Sequence, residues 1–121
     1  MGPSAIGQIG LTVQDLSRAV EFYRDRLGLR LLFEAPRMAF FDCGGIRLLL
    51  APPESEQRSF SSVIYFRVAD IDAASAELKS RGILFERDPH FVAHMPDHDL
   101  WLAFFRDPEQ NKLALMCEKK S

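Results

Sequence analysis

No stretch of this chain is apolar for anything near the roughly 20 residues that a bilayer-spanning helix requires. The N-terminal string MGPSAIGQIG has no basic segment leading into an apolar core, so no signal peptide is expected. An excess of one charge is missing too. Fifteen Lys and Arg face 17 Asp and Glu, interspersed, for a formal charge of −2. That balance gives no electrostatic basis for binding nucleic acid or an anionic membrane. Cysteine is scarce: Cys43 and Cys117 have no metal-type spacing, and without an export signal they read as free thiols of a cytoplasmic protein. A Ser–His–Asp arrangement, a phosphate-cradling glycine loop and a Cys-x-x-Cys pair are all absent.

What remains is an ordinary globular composition, 47% hydrophobic and 26% charged over 121 residues. That length predicts a single domain, 1–121, able to bury roughly two-thirds of its unfolded surface. Within it lies a repeat. Residues 9–29, IGLTVQDLSRAVEFYRDRLGL, return more weakly at 63–83 as VIYFRVADIDAASAELKSRGI. Val13 matches Val68, Asp15 matches Asp70 and Ala19 matches Ala74 at one offset, and Gly28 falls against Gly82 after a one-residue slip. A repeated unit of this size predicts two halves that fold alike and share a core.

Each copy reads as strand, capped helix and stop. Ile9, Leu11 and Val13 alternate with Gln8, Gly10 and Thr12. Asp15 can cap a helix carrying Leu16, Val20, Tyr23 and Leu27 at helical spacing, with Gly28 at its left-handed stop. Strands follow at 29–34, 38–42 and 46–51, the last two joined by a Gly44-Gly45 hairpin. The N-terminal unit, about 5–51, is therefore βαβββ. The polar string PPESEQRSFSS at 52–62 is a linker. The C-terminal unit, about 63–118, repeats the order with strands at 63–68, 83–87, 100–106 and 112–117. Its helix is capped by Asp70 and stopped by Gly82, and the stretch 89–98 reads as an irregular loop.

Four strings, VQDLSRAVEFYRDRLGL at 13–29, GGIRLLLAPPE at 44–54, FRVADIDAASAELKSRGI at 66–83 and FFRDPEQNKLALM at 104–116, resemble the vicinal oxygen chelate superfamily of glyoxalase I, bleomycin-resistance proteins and extradiol dioxygenases. The last string is similar to that family's Asp-Pro-x-Gly-Asn closing turn, with Gln110 where glycine is usual. The resemblance covers nearly the whole chain. It implies an α+β fold in which two βαβββ modules form a curved, cup-like mixed sheet, helices on the convex face and a ligand in the concave one. It also implies a homodimer.

Metal-dependent members of that family place one His, Glu or Gln ligand on each of four strands. Carried over, those positions are Gln8, Leu49, Val63 and Ala114, of which only Gln8 offers an oxygen. A catalytic metal needs about three protein ligands, so the expectation is no metal and no cofactor. His90, His94 and His98 are spaced four apart. Pro89 and Pro96 oppose a helix through them. In an extended strand neighbouring histidines lie about 13 Å apart, too far to share an ion. His94, His98 and Glu86, with Asp99, are the candidates for a metal-free general base.

Alternation assigns Gln8, Thr12, Arg47, Leu49, Val63, Tyr65, Arg67 and Met116 to the cup, together with Lys112 and Ala114, and Trp101 is a further candidate wall. Tyr65 and Trp101 suit an apolar or aromatic ligand, and Arg47, Arg67 and Lys112 an anionic group. The expected function is metal-free binding of such a small molecule, without nucleic-acid or membrane partners. The alternative is a lyase, isomerase or dioxygenase using a divalent metal or a histidine base.

Overall fold

The computed structural model describes residues 6–52 and 63–120. The chain falls into two compact units, residues 1–59 and 60–121, and each is a βαβββ module. The first runs β1 (Gln8–Thr12), α1 (Leu16–Glu21), β2 (Arg30–Ala35), β3 (Met38–Cys43) and β4 (Ile46–Ala51). The second runs β5 (Ile64–Arg67), α2 (Ile71–Ser80), β6 (Phe85–His94), β7 (Asp99–Arg106) and β8 (Lys112–Lys119). The linker expected at 52–62 lies, after Pro52, outside the described residues.

Each module is a four-stranded mixed sheet, ordered β1-β4-β3-β2 and β5-β8-β7-β6. The first and last strands pair in parallel, and the remaining pairs are antiparallel. The duplication is visible in the register. Ile9 pairs with Leu48 and Gly10 with Leu49; at the same relative positions Ile64 pairs with Leu113 and Tyr65 with Ala114. The link into each helix is repeated as well. Val13 N–H donates to the Ala51 carbonyl and Val68 N–H to the Met116 carbonyl, both at 2.9 Å. Asp15 accepts from Arg18 N and Asp70 from Ala73 N, both at 3.1 Å, satisfying one orphan donor of each helix.

One face of each sheet is covered by its helix. In the first module Tyr23 meets Phe41 at 6.0 Å between ring centroids, which fixes the helix side as that of Phe41, Leu48 and Ile9. Tyr23, Phe41 and Leu50 are completely buried there. In the second module Lys79 of α2 lies over the Phe85 ring, and Phe85 packs on Phe105 at 5.1 Å. Phe105, Leu113 and Leu115 form that buried side.

The first helix departs from a single α-helical run. After Glu21 it widens into a π-helical turn, Phe22–Arg26, closed by Leu27 N–H to the Phe22 carbonyl at 2.8 Å. Adjacent Phe22 and Tyr23 are both buried in it. The second helix ends in a Schellman motif, with Gly82 N–H on the Lys79 carbonyl and Ile83 N–H on the Leu78 carbonyl. Gly82 has φ +91° and open space where a Cβ would sit. Gly82→Ala therefore adds backbone strain and no clash. Denaturant unfolding is expected to register a loss of about 1 kcal/mol.

The expected loop at 89–98 is a correction. β6 continues through Pro89 to His94, with register shifts between Phe85 and Arg87, Arg87 and His90, and Phe91 and Ala93. Bulges of this kind accommodate a proline that a regular ladder refuses. Only Met95 to His98 turn, with Met95 N–H donating to the His98 carbonyl at 2.7 Å.

Candidate functional site

The helix-free face of each sheet carries most of the expected ligand-binding residues. In the first module Gln8 pairs with Arg47 and Thr12 with Ala51, and Gly10 pairs with Leu49, which pairs in turn with Phe40. These residues therefore share one face. In the second module Tyr65 pairs with Ala114 and Arg67 with Met116. Phe104 and Leu102 of β7 lie beside Ala114 and Met116. Val63 immediately precedes β5, and alternation places it with Tyr65.

Trp101 is a correction. It pairs with Cys117 and shares the helix side with Phe105. Its ring sits under the Lys119 ammonium at 4.0 Å, and that ammonium reaches Asp72 of α2 at 3.4 Å. Trp101 therefore packs on the core side of β7 and does not join Tyr65 and Met116.

Of the four candidate bases only His94 and Asp99 come together. His94 pairs with Asp99 on the helix side, its Nδ1 2.6 Å from the Asp99 carboxylate and its side chain 77% exposed. His90 pairs with Leu102 on the opposite face. Four residues of plain strand would have put both on one face; the bulge between Phe91 and Ala93 inserts a residue and turns His94 over. Glu86 stands at the far end of β6, where its carboxylate accepts from Arg106 Nε at 2.7 Å. His98 occupies the turn. Its Nδ1 is 2.6 Å from Asp97, its Nε2 is 3.7 Å from Glu118, and its side chain is only 17% exposed.

Two aromatic contributions to the helix-free faces went unrecognised in the sequence. The Arg47 guanidinium lies over the Phe40 ring at 5.9 Å, and the Lys112 ammonium lies over the Phe104 ring at 4.6 Å. The two pairs occupy equivalent places, since Phe40 pairs with Leu49 and Phe104 with Ala114. Phe33 extends the first pair, stacked on Phe40 at 4.5 Å and 49% exposed. The signal was available: Ala39-Phe40-Phe41 is repeated as Ala103-Phe104-Phe105. A cation held over an aromatic face beside apolar neighbours can receive a flat apolar group and an anion together.

The register puts the metal positions carried over from the family at matched places in the two modules. Gln8 stands two residues before Gly10, the partner of Leu49; Val63 stands two residues before Tyr65, the partner of Ala114. Leu49 and Ala114 are therefore equivalent in the two modules. Leucine, valine and alanine carry no donor atom, and Ala114 is fully buried. This residue set does not fit a catalytic metal, which takes about three protein ligands. Among the described residues no three His, Cys, Asp or Glu side chains gather as a metal site elsewhere. Burial raises the pKa of the Cys43 thiol, with Asp42 adding to the shift, which keeps it protonated and poorly nucleophilic.

Comparison with known proteins agrees with the topology. The chain is 31% identical to YraH of Bacillus subtilis over 89% of its own length and 94% of YraH. It is 37% identical to the metallothiol transferase FosB of Staphylococcus haemolyticus over 71 residues, but that match spans only 51% of FosB. Among solved structures it is similar to TnmS3, an antibiotic-binding protein from Streptomyces sp. CB03234, with a TM-score of 0.78 and 26% identity over 100% of this chain and 99% of that one. It is similar at TM-score 0.76 and 26% identity to lactoylglutathione lyase from Agrobacterium tumefaciens, covering 95% and 94% of the two chains. Residues 5–115 match the profile of the Glyoxalase/Bleomycin resistance protein/Dioxygenase superfamily, and the chain belongs to that superfamily.

Proposed function

We propose that this protein binds a small apolar or aromatic molecule, able to carry an anionic group, on its helix-free sheet faces and without a metal. One observation carries the reading. Three of the four positions that hold metal ligands in the family are Leu49, Val63 and Ala114, while the same faces hold two equivalent cation–phenylalanine pairs, Arg47 on Phe40 and Lys112 on Phe104. Gln8 alone offers a donor for an ion, whereas the cation–phenylalanine pairs suit a flat organic anion. The likeness to TnmS3, an antibiotic-binding protein, supports a binding role. The reading includes one domain, a homodimer and a cytoplasmic location. No helix among the described residues is long and apolar enough to cross a membrane.

The second reading is an enzyme, favoured by the likeness to lactoylglutathione lyase and by His98, an imidazole held at Nδ1 by Asp97 with its Nε2 facing the Glu118 carboxylate at 3.7 Å. Protein purified without chelator separates the two. Elemental analysis is expected to find no stoichiometric divalent ion. Fluorescence titration is expected to give saturable binding of the neutral probe N-phenylnaphthylamine and of the anionic anilinonaphthalene sulfonate. Arg47→Gln and Lys112→Gln should each weaken the sulfonate about fivefold, the worth of roughly 1 kcal/mol, with less effect on the neutral probe. A stoichiometric metal that is lost in Gln8→Ala overturns the metal-free reading, and absence of saturable probe binding overturns the ligand class.

A further inference from the structure

The helix-free face of the second module contains a carboxylate placed between an arginine and a histidine. Along β8 the residues Ala114, Met116 and Glu118 alternate onto this face; Met116 pairs with Arg67, and Glu118 pairs with Leu100. The Glu118 carboxylate reaches in two directions through one oxygen. Its Oε2 is 3.7 Å from Arg67 Nη2 and 3.7 Å from His98 Nε2. Neither separation is short enough for a hydrogen bond, so the Arg67–Glu118 ion pair is loose. The three groups differ in exposure. Arg67 is 72% exposed, Glu118 37% and His98 17%. His98 is also tied at Nδ1 to Asp97 at 2.6 Å, which turns Nε2 toward Glu118. Tyr65, 48% exposed, and Met116 stand beside the cluster on the same face.

We propose that Glu118 is a specificity-determining residue that competes with the anionic group of a ligand for Arg67 and His98. Its carboxylate occupies the position a ligand carboxylate, sulfonate or phosphate takes to meet both groups. An anionic ligand must displace Glu118 and then sit near its charge; a neutral ligand meets neither cost. The second module as it stands therefore discriminates by ligand charge more weakly than its Arg67 and Lys112 side chains alone dictate. The inference rests on the helix-free face being the ligand surface, and it names the residue that sets the charge preference there.

Glu118→Gln keeps the side-chain size and removes the charge. Titrating wild type, Glu118→Gln, Arg67→Gln and the double variant with both aromatic probes separates the outcomes. Glu118→Gln is expected to tighten anilinonaphthalene sulfonate about fivefold and to leave N-phenylnaphthylamine unchanged, with the gain abolished by adding Arg67→Gln. Equal changes for both probes, or a sulfonate gain that survives Arg67→Gln, overturn the proposal. If neither probe binds wild type or variant saturably, the ligand-surface reading fails by itself. The competition is then read with inorganic phosphate, following the His98 ring signals by NMR. A lower phosphate midpoint in Glu118→Gln upholds the role of Glu118, and an unchanged midpoint overturns it.

Discussion

Asp107→Ala is expected to lower the free energy of unfolding by about 3 kcal/mol. The carboxylate is 2% exposed and organises the turn between β7 and β8, the two central strands of the second sheet. It accepts from Glu109 N at 2.8 Å, Asn111 N at 2.8 Å and Asn111 Nδ2 at 2.9 Å. The turn also closes on itself, with Asp107 N–H donating to the Asn111 carbonyl and Gln110 N–H to the Asp107 carbonyl, both at 3.0 Å. Alanine removes a charged acceptor and leaves the Asn111 amide buried without it; Asn111 is itself only 4% exposed. Hydrogen bonds to a charged group contribute about 1.5–3 kcal/mol each but do not add when they share one acceptor, which is why the expected loss is near the worth of one or two. Thermal melts should show a drop on the order of 10 °C. A loss below about 1 kcal/mol means that the turn holds its shape without the carboxylate, and Asp107 is then not its organising group.

The larger loss is expected from Phe41→Ala, about 4 kcal/mol. Phe41 is fully buried on β3, between Leu48 of β4 and Leu31 of β2, with Tyr23 of the first helix against its ring. Truncation removes the transfer free energy of the ring and opens a cavity that a sheet clamped by its helix cannot collapse to fill. Phe105 is the equivalent residue of the second module, fully buried and paired with Leu113 and Phe85. Phe105→Ala should cost a similar amount. The two variants also test whether the modules behave as one domain. In a single cooperative unit each shifts one common transition. Two transitions, with Phe41→Ala moving one and Phe105→Ala or Asp107→Ala moving the other, contradict the single domain expected from chain length.

The candidate site was only partly legible in the amino-acid order. That Gln8, Arg47, Tyr65 and Ala114 lie on helix-free faces follows from plain alternation, because β1, β4, β5 and β8 are regular. Trp101 was misread because β7 is apolar on both faces: Leu100, Leu102 and Phe104 point one way while Trp101, Ala103 and Phe105 point the other. A strand without polar contrast gives no period to read, and only its pairing with Cys117 reveals the side. The histidines failed for another reason. Bulges in β6 change the parity of every residue beyond them, and nothing in the string FERDPHFVAH marks where the extra residues fall. The aromatic pairs at Phe40 and Phe104 were readable in the repeated Ala-Phe-Phe string; what the string lacks is the neighbouring cation, which sits on the adjacent strand.

By itself, the order of residues determined the doubled βαβββ plan, the aspartate caps and the glycine stop at Gly82, and it fixed that Leu49, Val63 and Ala114 carry no donor atoms. These depend on contacts within a few residues, or on which atoms a side chain possesses. The placement of Glu118 between Arg67 and His98, the separation of His90 from His94 and the position of Trp101 beneath Lys119 were decided only in three dimensions. Each depends on register between strands far apart in the chain, and register is set by how whole faces pack, which no local pattern encodes.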